Sequence, residues 1–161
     1  MTAEEIKTLL QLRPHEPEGG YYRRTYSNAG VVETPHGSRL AASAIYYLLE
    51  PGSFSEMHRL RSDEIFHFYL GDPVEMLHLY PDGRSALFTL GSDLAHDQQV
   101  QLVVPAGTWQ GCRLLEGGSV ALLGCTVTPG FDFDDYESGV FADLAAQWPW
   151  QKERIRLLTK R

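Results

Sequence analysis

The sequence predicts an all-β protein, a sandwich or a closed barrel, with short helices at its two ends. Short apolar runs rich in aromatic and β-branched residues recur along the chain, and 15 glycines and nine prolines separate them. No internal repeat indicates a solenoid. Because full strand pairing removes exposed sheet edges, closed architectures are favoured. At 161 residues, the chain is expected to form one domain, residues 1–161.

Composition and charge exclude several classes of function. The protein is acidic, with a net charge of −7, and has no Lys/Arg cluster, so we expect no nucleic-acid partner. No apolar stretch approaches the roughly 20 residues of a membrane helix, and the N-terminus lacks the basic start of a signal peptide. We therefore expect no membrane association and a cytoplasmic location. Cys112 and Cys125 form no disulfide framework and are expected to be free buried thiols.

The two ends of the chain carry helical patterns. Thr2-Ala-Glu-Glu5 has the spacing of a capping box, and Ile6, Leu9 and Leu10 follow at helical intervals. The pattern predicts a short helix from about residue 3 to residue 12. Two further short helices are predicted near the C-terminus, over residues 140–148 and 152–159.

Between these ends, turn signals separate the predicted strands. Pro81-Asp82-Gly83 predicts a hairpin between residues 74–80 and 84–90, and Glu116-Gly117-Gly118 predicts a second hairpin between 109–115 and 119–127. In that second hairpin, Cys112 would lie diagonal to Cys125. Other strands are predicted over residues 21–26, 41–49 and 100–104, and residues 27–38 form a loop or a loose hairpin.

The central stretch, Gly52 to Gly71, predicts a pocket. Apolar runs over residues 44–49 and 65–70 indicate a strand, a turn and a strand. Two strands joined in this way can direct His58 and Glu64 into one interior.

Spaced residues in this stretch resemble the first sequence motif of the cupin superfamily. Gly52, His58, Glu64 and Gly71 keep the spacing of that motif, and Pro105-Ala-Gly-Thr-Trp-Gln110 resembles the second motif. The resemblance implies a double-stranded β-helix, the cupin jelly roll, with a short N-terminal helix and small C-terminal helices. The number of predicted strands agrees with that fold.

Longer segments resemble one branch of the superfamily, the family catalogued as domain of unknown function 985. The segments are Pro17–Tyr21, Ser62–Tyr69, Val104–Gln110 and Thr126–Asp132. This resemblance implies the fold and a tendency to form homodimers, but no established reaction.

Metal-binding cupins use two histidines and the glutamate of the first motif and the histidine of the second. Here Leu60 and Gln110 stand in place of two of those histidines. Leucine cannot ligate a cation, and glutamine is a poor ligand for metals that prefer imidazole. We therefore expect no cofactor and no tightly bound metal, while a weakly bound divalent metal at His58 and Glu64 stays open as an alternative.

The remaining polar clusters favour structural roles. His67 is expected to point away from Glu64, because side chains alternate along a strand. The face on which His78 lies is not assignable, and His15, His36 and His96 are expected at the surface. The acidic segment 132–137 is expected to be a solvated loop.

The proposed pocket residues point to a small-molecule site. His58 and Glu64 are the catalytic candidates, with pocket positions at Ser43, Arg59, Leu60, Phe66, Phe68, Gln110 and Cys112. In the leading hypothesis, a metal-independent isomerase or epimerase acts on a sugar-like or carbonyl compound, His58 moves the proton and Glu64 orients its ring. The alternatives are a buried structural pair, a non-catalytic module that binds or senses a small ligand, and a metal-dependent cupin oxygenase. Whether the protein is an enzyme stays open at this point.

Overall fold

The computed structural model describes residues 1–160, in which two antiparallel sheets face each other as a jelly roll. Strands and helices are numbered in chain order. The first sheet contains, in spatial order, β1 (Arg13–Pro14), β2 (Tyr21–Ser27), β5 (Ser43–Leu49), β12 (Ala121–Thr128), β7 (Asp63–Gly71) and β10 (Gln101–Val104). The second sheet contains β13 (Glu137–Ser138), β6 (Phe54–Arg59), β11 (Trp109–Leu114), β8 (Val74–Leu79) and β9 (Ser85–Leu90). A separate hairpin pairs β3 (Val31–Thr34) with β4 (Gly37–Leu40).

The predicted terminal helices are confirmed, and each packs on the outer face of a sheet. They are α1 (Ala3–Leu10), α2 (Phe141–Gln147) and α3 (Lys152–Leu157). In α1 the capping box is complete, because the Thr2 hydroxyl accepts from the Glu5 amide and the Glu5 carboxylate accepts from the Thr2 amide. Ile6 of α1 packs against Leu48 of the first sheet. No helix in the described residues is long and apolar enough to cross a membrane.

Strand alternation separates the interior of the sandwich from its outer faces. On β5, Tyr47 and Leu49 face the interior, whereas Leu48 between them faces α1. The apolar interior is built by both sheets, from residues that include Tyr47, Leu49, Phe66, Val74, Met76, Cys112, Leu114 and Leu123. On the other side, Trp148 and Ile155 cover the outer face of the second sheet.

The hairpin predicted around Pro81-Asp82-Gly83 is confirmed. Strands β8 and β9 pair antiparallel from Val74 opposite Leu90 to Leu79 opposite Ser85. The predicted strand near residues 100–104 is β10, and residues 27–38 contain most of the β3–β4 hairpin.

The second predicted hairpin is wrong. Strand β11 lies between β6 and β8 in the second sheet, whereas β12 lies between β5 and β7 in the first. Gly117-Gly118 therefore joins the two sheets, a connection that needs the same turn residues as a hairpin. Cys112 and Cys125 face each other from opposite sheets instead of lying diagonally on adjacent strands. Both are buried free thiols, as expected.

The central stretch contains a strand that the sequence pattern does not reveal. Residues 54–59 form β6, where a turn was predicted between two strands. Ser55, Glu56 and His58 are polar, so the segment lacks the apolar run that indicates a buried strand. All three side chains are nevertheless buried.

The acidic segment 132–137 is only partly the solvated loop that was expected. Asp135 lies in a 3₁₀ turn and is buried against Arg39 of β4, whose Nε and Nη2 donate to its carboxylate at 2.7 and 2.8 Å. The Arg39 guanidinium holds the pKa of Asp135 below its ordinary value. Their separation of 96 residues explains why spacing could not predict the pair.

Gly19 allows the chain to pass close to β6. Its φ of +102° is left-handed, and an added Cβ would collide with the carbonyl oxygen of Phe54. Gly52 is also left-handed, at φ +85°, but has open space around it.

We expect Gly19→Ala to lower the free energy of unfolding by several kcal/mol, and Gly52→Ala by only about 1–2 kcal/mol, from backbone strain alone. Urea unfolding of both variants measures the difference, and equal losses would contradict the close approach.

Candidate functional site

A cavity of about 420 Å³ opens between the two sheets, beside the apolar interior. Polar and apolar side chains share its wall. The polar residues are Arg13, His15, Glu18, Tyr22, Arg24, Ser43, His58, Glu64 and Asp132, and the others are Ile45, Leu60, Cys125, Val127, Phe131 and Phe133. This combination of size and lining is typical of a pocket for a small organic molecule.

Strand register places Glu64 in this cavity. Ser43 of β5, Val127 of β12 and Glu64 of β7 lie opposite one another in one row across the first sheet. Residues in one row share a face, so all three face the cavity. The next cross-strand row holds Ile45, Cys125 and Phe66, where the cavity meets the apolar interior.

His58 reaches the same cavity from the second sheet. On β11, Gln110 opposes His58 and Cys112 opposes Ser55, so the pairing advances two residues on β11 and three on β6. The extra residue in β6 is the pattern of a β-bulge. The bulge lets Ser55 and His58, which are three residues apart, both face the interior.

Two neighbours fix the His58 ring. Its Nδ1 lies 2.7 Å from the main-chain carbonyl oxygen of Glu56. Because a carbonyl oxygen only accepts, Nδ1 carries the proton, and Nε2 of the neutral ring is left as an acceptor. The Tyr136 ring stacks on the imidazole at 4.9 Å between centroids, and its hydroxyl donates to the Glu56 carboxylate at 2.8 Å. The ring is thus held in one orientation and one tautomer.

Glu64 is a buried carboxyl with a perturbed affinity for protons. Burial, and then the charge of Glu18, raise its pKa from 4.5 to about 7, while His58 and the amide of Gln110 act in the opposite direction. The Gln110 Nε2 donates to Glu64 Oε2 at 2.6 Å. Near neutral pH, a large share of the molecules therefore carries a proton on Glu64, and that carboxyl can donate it.

Gln110 connects the two sheets behind the cavity. It lies directly opposite His58 on the neighbouring strand and bonds to Glu64 of the other sheet. Its Oε1 is buried without a hydrogen-bond partner in residues 1–160. An unsatisfied buried acceptor is rare and costly. The amide is held in place by the hydrogen bond that its nitrogen donates to Glu64.

Among the cavity residues that sequence reasoning missed, Glu18 and His15 are the buried polar ones. Glu18 lines the cavity, and its carboxylate accepts from the Ser55 hydroxyl at 2.5 Å. His15 was expected at the surface but is buried beside Glu18, with its Nε2 at 3.6 Å from Glu18 Oε2. Burial lowers the pKa of His15. Both lie in a loop whose prolines and glycines resemble a surface turn; the only signal was that Glu18 falls in a segment carrying the family resemblance.

Apart from Arg59, the predicted pocket positions divide into three groups. Ser43 and Leu60 line the cavity, and Gln110 supports Glu64 from behind. The other aromatic and thiol positions, Phe66, Phe68 and Cys112, pack in or against the apolar interior. Their rows in the strands were unknown from the sequence.

Arg59 was predicted in the pocket but lies outside it. Its guanidinium bonds to Glu137 at 2.7 Å and covers the ring of Trp109. Arg59 follows His58 on the same strand, so its side chain points to the opposite face.

The structure also places the remaining histidines. His67 points away from the cavity, as predicted, with its Nε2 at 3.2 Å from the Thr126 hydroxyl. His78 is fully buried in the interior against Met76 and Phe88, and burial lowers its pKa to about 4. It is therefore a neutral core residue. His36 and His96 are exposed, as expected.

The site does not fit the metal centre that its sequence motifs imply. Leu60 contributes an apolar wall where the motif has a histidine, and the amide nitrogen of Gln110 is committed to Glu64. Within residues 1–160, no three His, Cys, Asp or Glu side chains are grouped to hold an ion. His58 and Glu64 alone fall short of the three protein ligands usual at catalytic metals.

The two sheets form a jelly roll, and His58 and Glu64 of the first cupin motif both face its interior cavity. These features define a cupin fold. Solved structures agree with this class. The oxalate decarboxylase of Bacillus subtilis matches with a TM-score of 0.55 and 18% identity, covering 88% of this chain and 35% of that one. At this identity the likeness shows the fold alone.

The chain belongs to the family described as Cupin superfamily (DUF985), whose model matches residues 4–139. The uncharacterized yeast protein YML079W, from Saccharomyces cerevisiae, is 32% identical over 140 residues, which cover 78% of this chain and 69% of that protein. A hypothetical protein from Leishmania major has a TM-score of 0.91 with 32% identity, and both chains are covered in full. Protein SO0799 from Shewanella oneidensis has a TM-score of 0.90 with 34% identity, covering 99% of this chain and 98% of that one.

The raised pKa of Glu64 predicts a pH-dependent stability. The folded protein holds the Glu64 proton more tightly than the unfolded chain does, so the stability from this group is present at low pH and is lost as the pH rises from about 4.5 to about 7. We expect Glu64→Gln to gain roughly 2–3 kcal/mol relative to the wild type as the pH rises from 5 to 8, because each unit by which the folded pKa exceeds the unfolded pKa is worth about 1.36 kcal/mol and part of the change lies below pH 5.

Denaturant unfolding at several pH values measures this difference. Glu116→Gln, on an exposed turn, is the matched control and should follow the wild type at every pH. A constant difference between Glu64→Gln and the wild type across this range would show that Glu64 is not protonated when folded.

Proposed function

We propose that this protein is a metal-independent isomerase or epimerase that moves a proton on a small hydroxycarbonyl compound. The single observation behind the proposal is the pairing of two groups in one cavity: a carboxyl that holds its proton near pH 7, Glu64, and an imidazole whose Nδ1 is held by the Glu56 carbonyl and whose Nε2 is left open, His58. A carboxyl that can donate a proton and an imidazole nitrogen that can accept one, around a single cavity, support acid–base catalysis. The cytoplasmic location and the homodimer expected from the sequence belong to the same proposal.

The chemical step uses one group as the base and the other as the acid. His58 Nε2 removes the proton from the carbon next to the carbonyl, while Glu64 donates its proton to the carbonyl oxygen, and an enediol forms. The imidazolium then returns the proton to the former carbonyl carbon, and the Glu64 carboxylate takes the proton of the hydroxyl on the first carbon, which becomes the new carbonyl. In epimerisation, solvent protonates the other face of the first carbon and the imidazolium gives its proton to solvent. Apart from these solvent protons, no electrons or atoms are exchanged with a further reagent.

The structure supports a different orienting group for His58 than the sequence suggested. The hypothesis gave that role to Glu64, but no hydrogen bond joins His58 and Glu64 in residues 1–160. The Glu56 carbonyl fixes the tautomer, and Tyr136 fixes the plane of the ring. Glu64 is then free to act as the acid, and the dry surroundings provided by Leu60 and Val127 keep its proton in place.

Glu18 has an electrostatic role in this scheme. It lines the same cavity, and its charge helps to raise the pKa of Glu64. Its carboxylate, held by the Ser55 hydroxyl, can also accept hydrogen bonds from substrate hydroxyl groups. A polyhydroxylated substrate therefore suits this end of the cavity.

Proton exchange with solvent tests the proposal without knowledge of the product. The wild-type protein is incubated in D₂O with a panel of aldoses, ketoses and their phosphates and acids, and NMR follows loss of the carbon-bound proton signal. We expect His58→Gln to slow exchange by about 10²–10⁴-fold, the usual contribution of a general base. His67→Gln, on the outer face, is the matched control and should exchange at the wild-type rate.

The result separates the two main classes of function. Exchange that depends on His58 supports the enzyme. Binding of a panel compound with no exchange by the wild type would contradict it and favour the non-catalytic binding module.

A further inference from the structure

Two arginines on the cavity wall, Arg13 and Arg24, have no carboxylate partner in residues 1–160. Most arginines of this acidic protein do have one within 4.0 Å. They are Arg39, Arg59, Arg61, Arg84, Arg113, Arg154 and Arg156. With a net charge of −7, carboxylates are plentiful. Arg23 also lacks a carboxylate partner in residues 1–160 but lies on the outer face over Tyr46, whereas Arg13 and Arg24 both line one cavity, where an external anion can reach them.

The edge of the first sheet directs both arginines to this cavity. Arg13 of β1 lies opposite Tyr22 of β2, and Arg24 is two residues beyond Tyr22 on the same strand, so the three share one face. Arg24 lies opposite Ile45 of the cavity wall.

Arg13 is also held in position before any ligand arrives. Its Nη2 donates to the Tyr22 hydroxyl at 3.0 Å, and its guanidinium lies over the Tyr22 ring at 5.1 Å. A cation fixed in this way loses less conformational freedom on binding an anion.

Charge is distributed unevenly along the cavity. The buried part holds the carboxyls of Glu18 and Glu64, whereas both arginines are exposed at its edge. Asp132 is the acidic residue near this edge, and its Oδ1 accepts the Asp134 amide at 2.9 Å. A matching ligand presents hydroxyl donors to the buried carboxyls and a negative group to the arginines.

We propose that the substrate is a phosphorylated hydroxycarbonyl compound and that Arg13 and Arg24 bind its phosphate at the cavity entrance. The inference rests on the proposed function for its carbonyl chemistry, while the phosphate site depends only on the arginines. A phosphate monoester carries about −1.5 to −2 at pH 7 and matches two guanidinium groups better than a carboxylate does. Arginine also binds phosphate in a bidentate manner.

Calorimetry with inorganic phosphate, ribose 5-phosphate, ribose and glucuronate tests the site. We expect ribose 5-phosphate to bind the wild type at least tenfold more tightly than ribose or glucuronate, and inorganic phosphate to compete with it. The double variant Arg13→Gln/Arg24→Gln should lose about tenfold or more in affinity for ribose 5-phosphate, as charge-assisted hydrogen bonds are lost. Arg23→Gln is the matched control, because Arg23 precedes Arg24 on β2 and its guanidinium lies over Tyr46 on the outer face.

Three results overturn the inference: ribose or glucuronate binding as tightly as ribose 5-phosphate, the double variant binding like the wild type, or no binding of either phosphate compound to the wild type.

Failure of the phosphate site can be told apart from failure of the proposed function. Arginine-dependent phosphate binding without proton exchange keeps the site and removes the catalysis. Exchange that depends on His58 but not on the arginines keeps the catalysis and removes the site.

Discussion

The structure of this site depends on one constraint, the burial of the Glu64 carboxyl between two sheets. A carboxylate in that position is poorly solvated and lies near the charge of Glu18, so protonation becomes favourable near neutral pH. The side-chain amide of Gln110 donates a hydrogen bond to this carboxyl from the opposite sheet. The cavity, the choice of acid and the choice of base all follow from where this carboxyl is held.

Burial of this kind removes stability as the pH rises from about 4.5 to about 7, and a purely structural role does not explain it well. An apolar side chain in the same row, like Val127 beside it, would fill the space without a charge to desolvate. Around the carboxyl, the protein also fixes the ring of His58 from two directions, through Glu56 and Tyr136. A carboxyl that holds a proton, beside an imidazole of fixed geometry, is what proton transfer requires.

The all-β class and several elements were predictable from local physical signals, whereas the jelly roll was implied by the resemblance to cupin motifs. The capping box of α1, the turn at Pro81-Asp82-Gly83 and the alternation on β7 are local signals, and each is confirmed. The spacing of His58 and Glu64 was informative because both motif positions face one interior in this fold.

What the sequence could not show depends on contacts between distant segments. The positions of Glu18 and His15 are set by a loop that crosses to β6, and the β6 bulge appears only in the pairing with β11. The chain crosses from the second sheet to the first between β11 and β12, and the turn that makes this crossing has the same residues as a hairpin turn. Likewise, Arg59 was predicted in the pocket, yet it pairs with Glu137, while Arg13 and Arg24 line the cavity.

The protonation of Glu64 can be measured directly by ¹³C NMR of its side-chain carboxyl as a function of pH. The chemical shift should change with a midpoint near pH 7 in the folded protein, and the signal should be absent in Glu64→Gln, which assigns it. A midpoint near the ordinary value of 4.5 would mean that Glu64 is ionised at neutral pH, and the acid in this account would be lost.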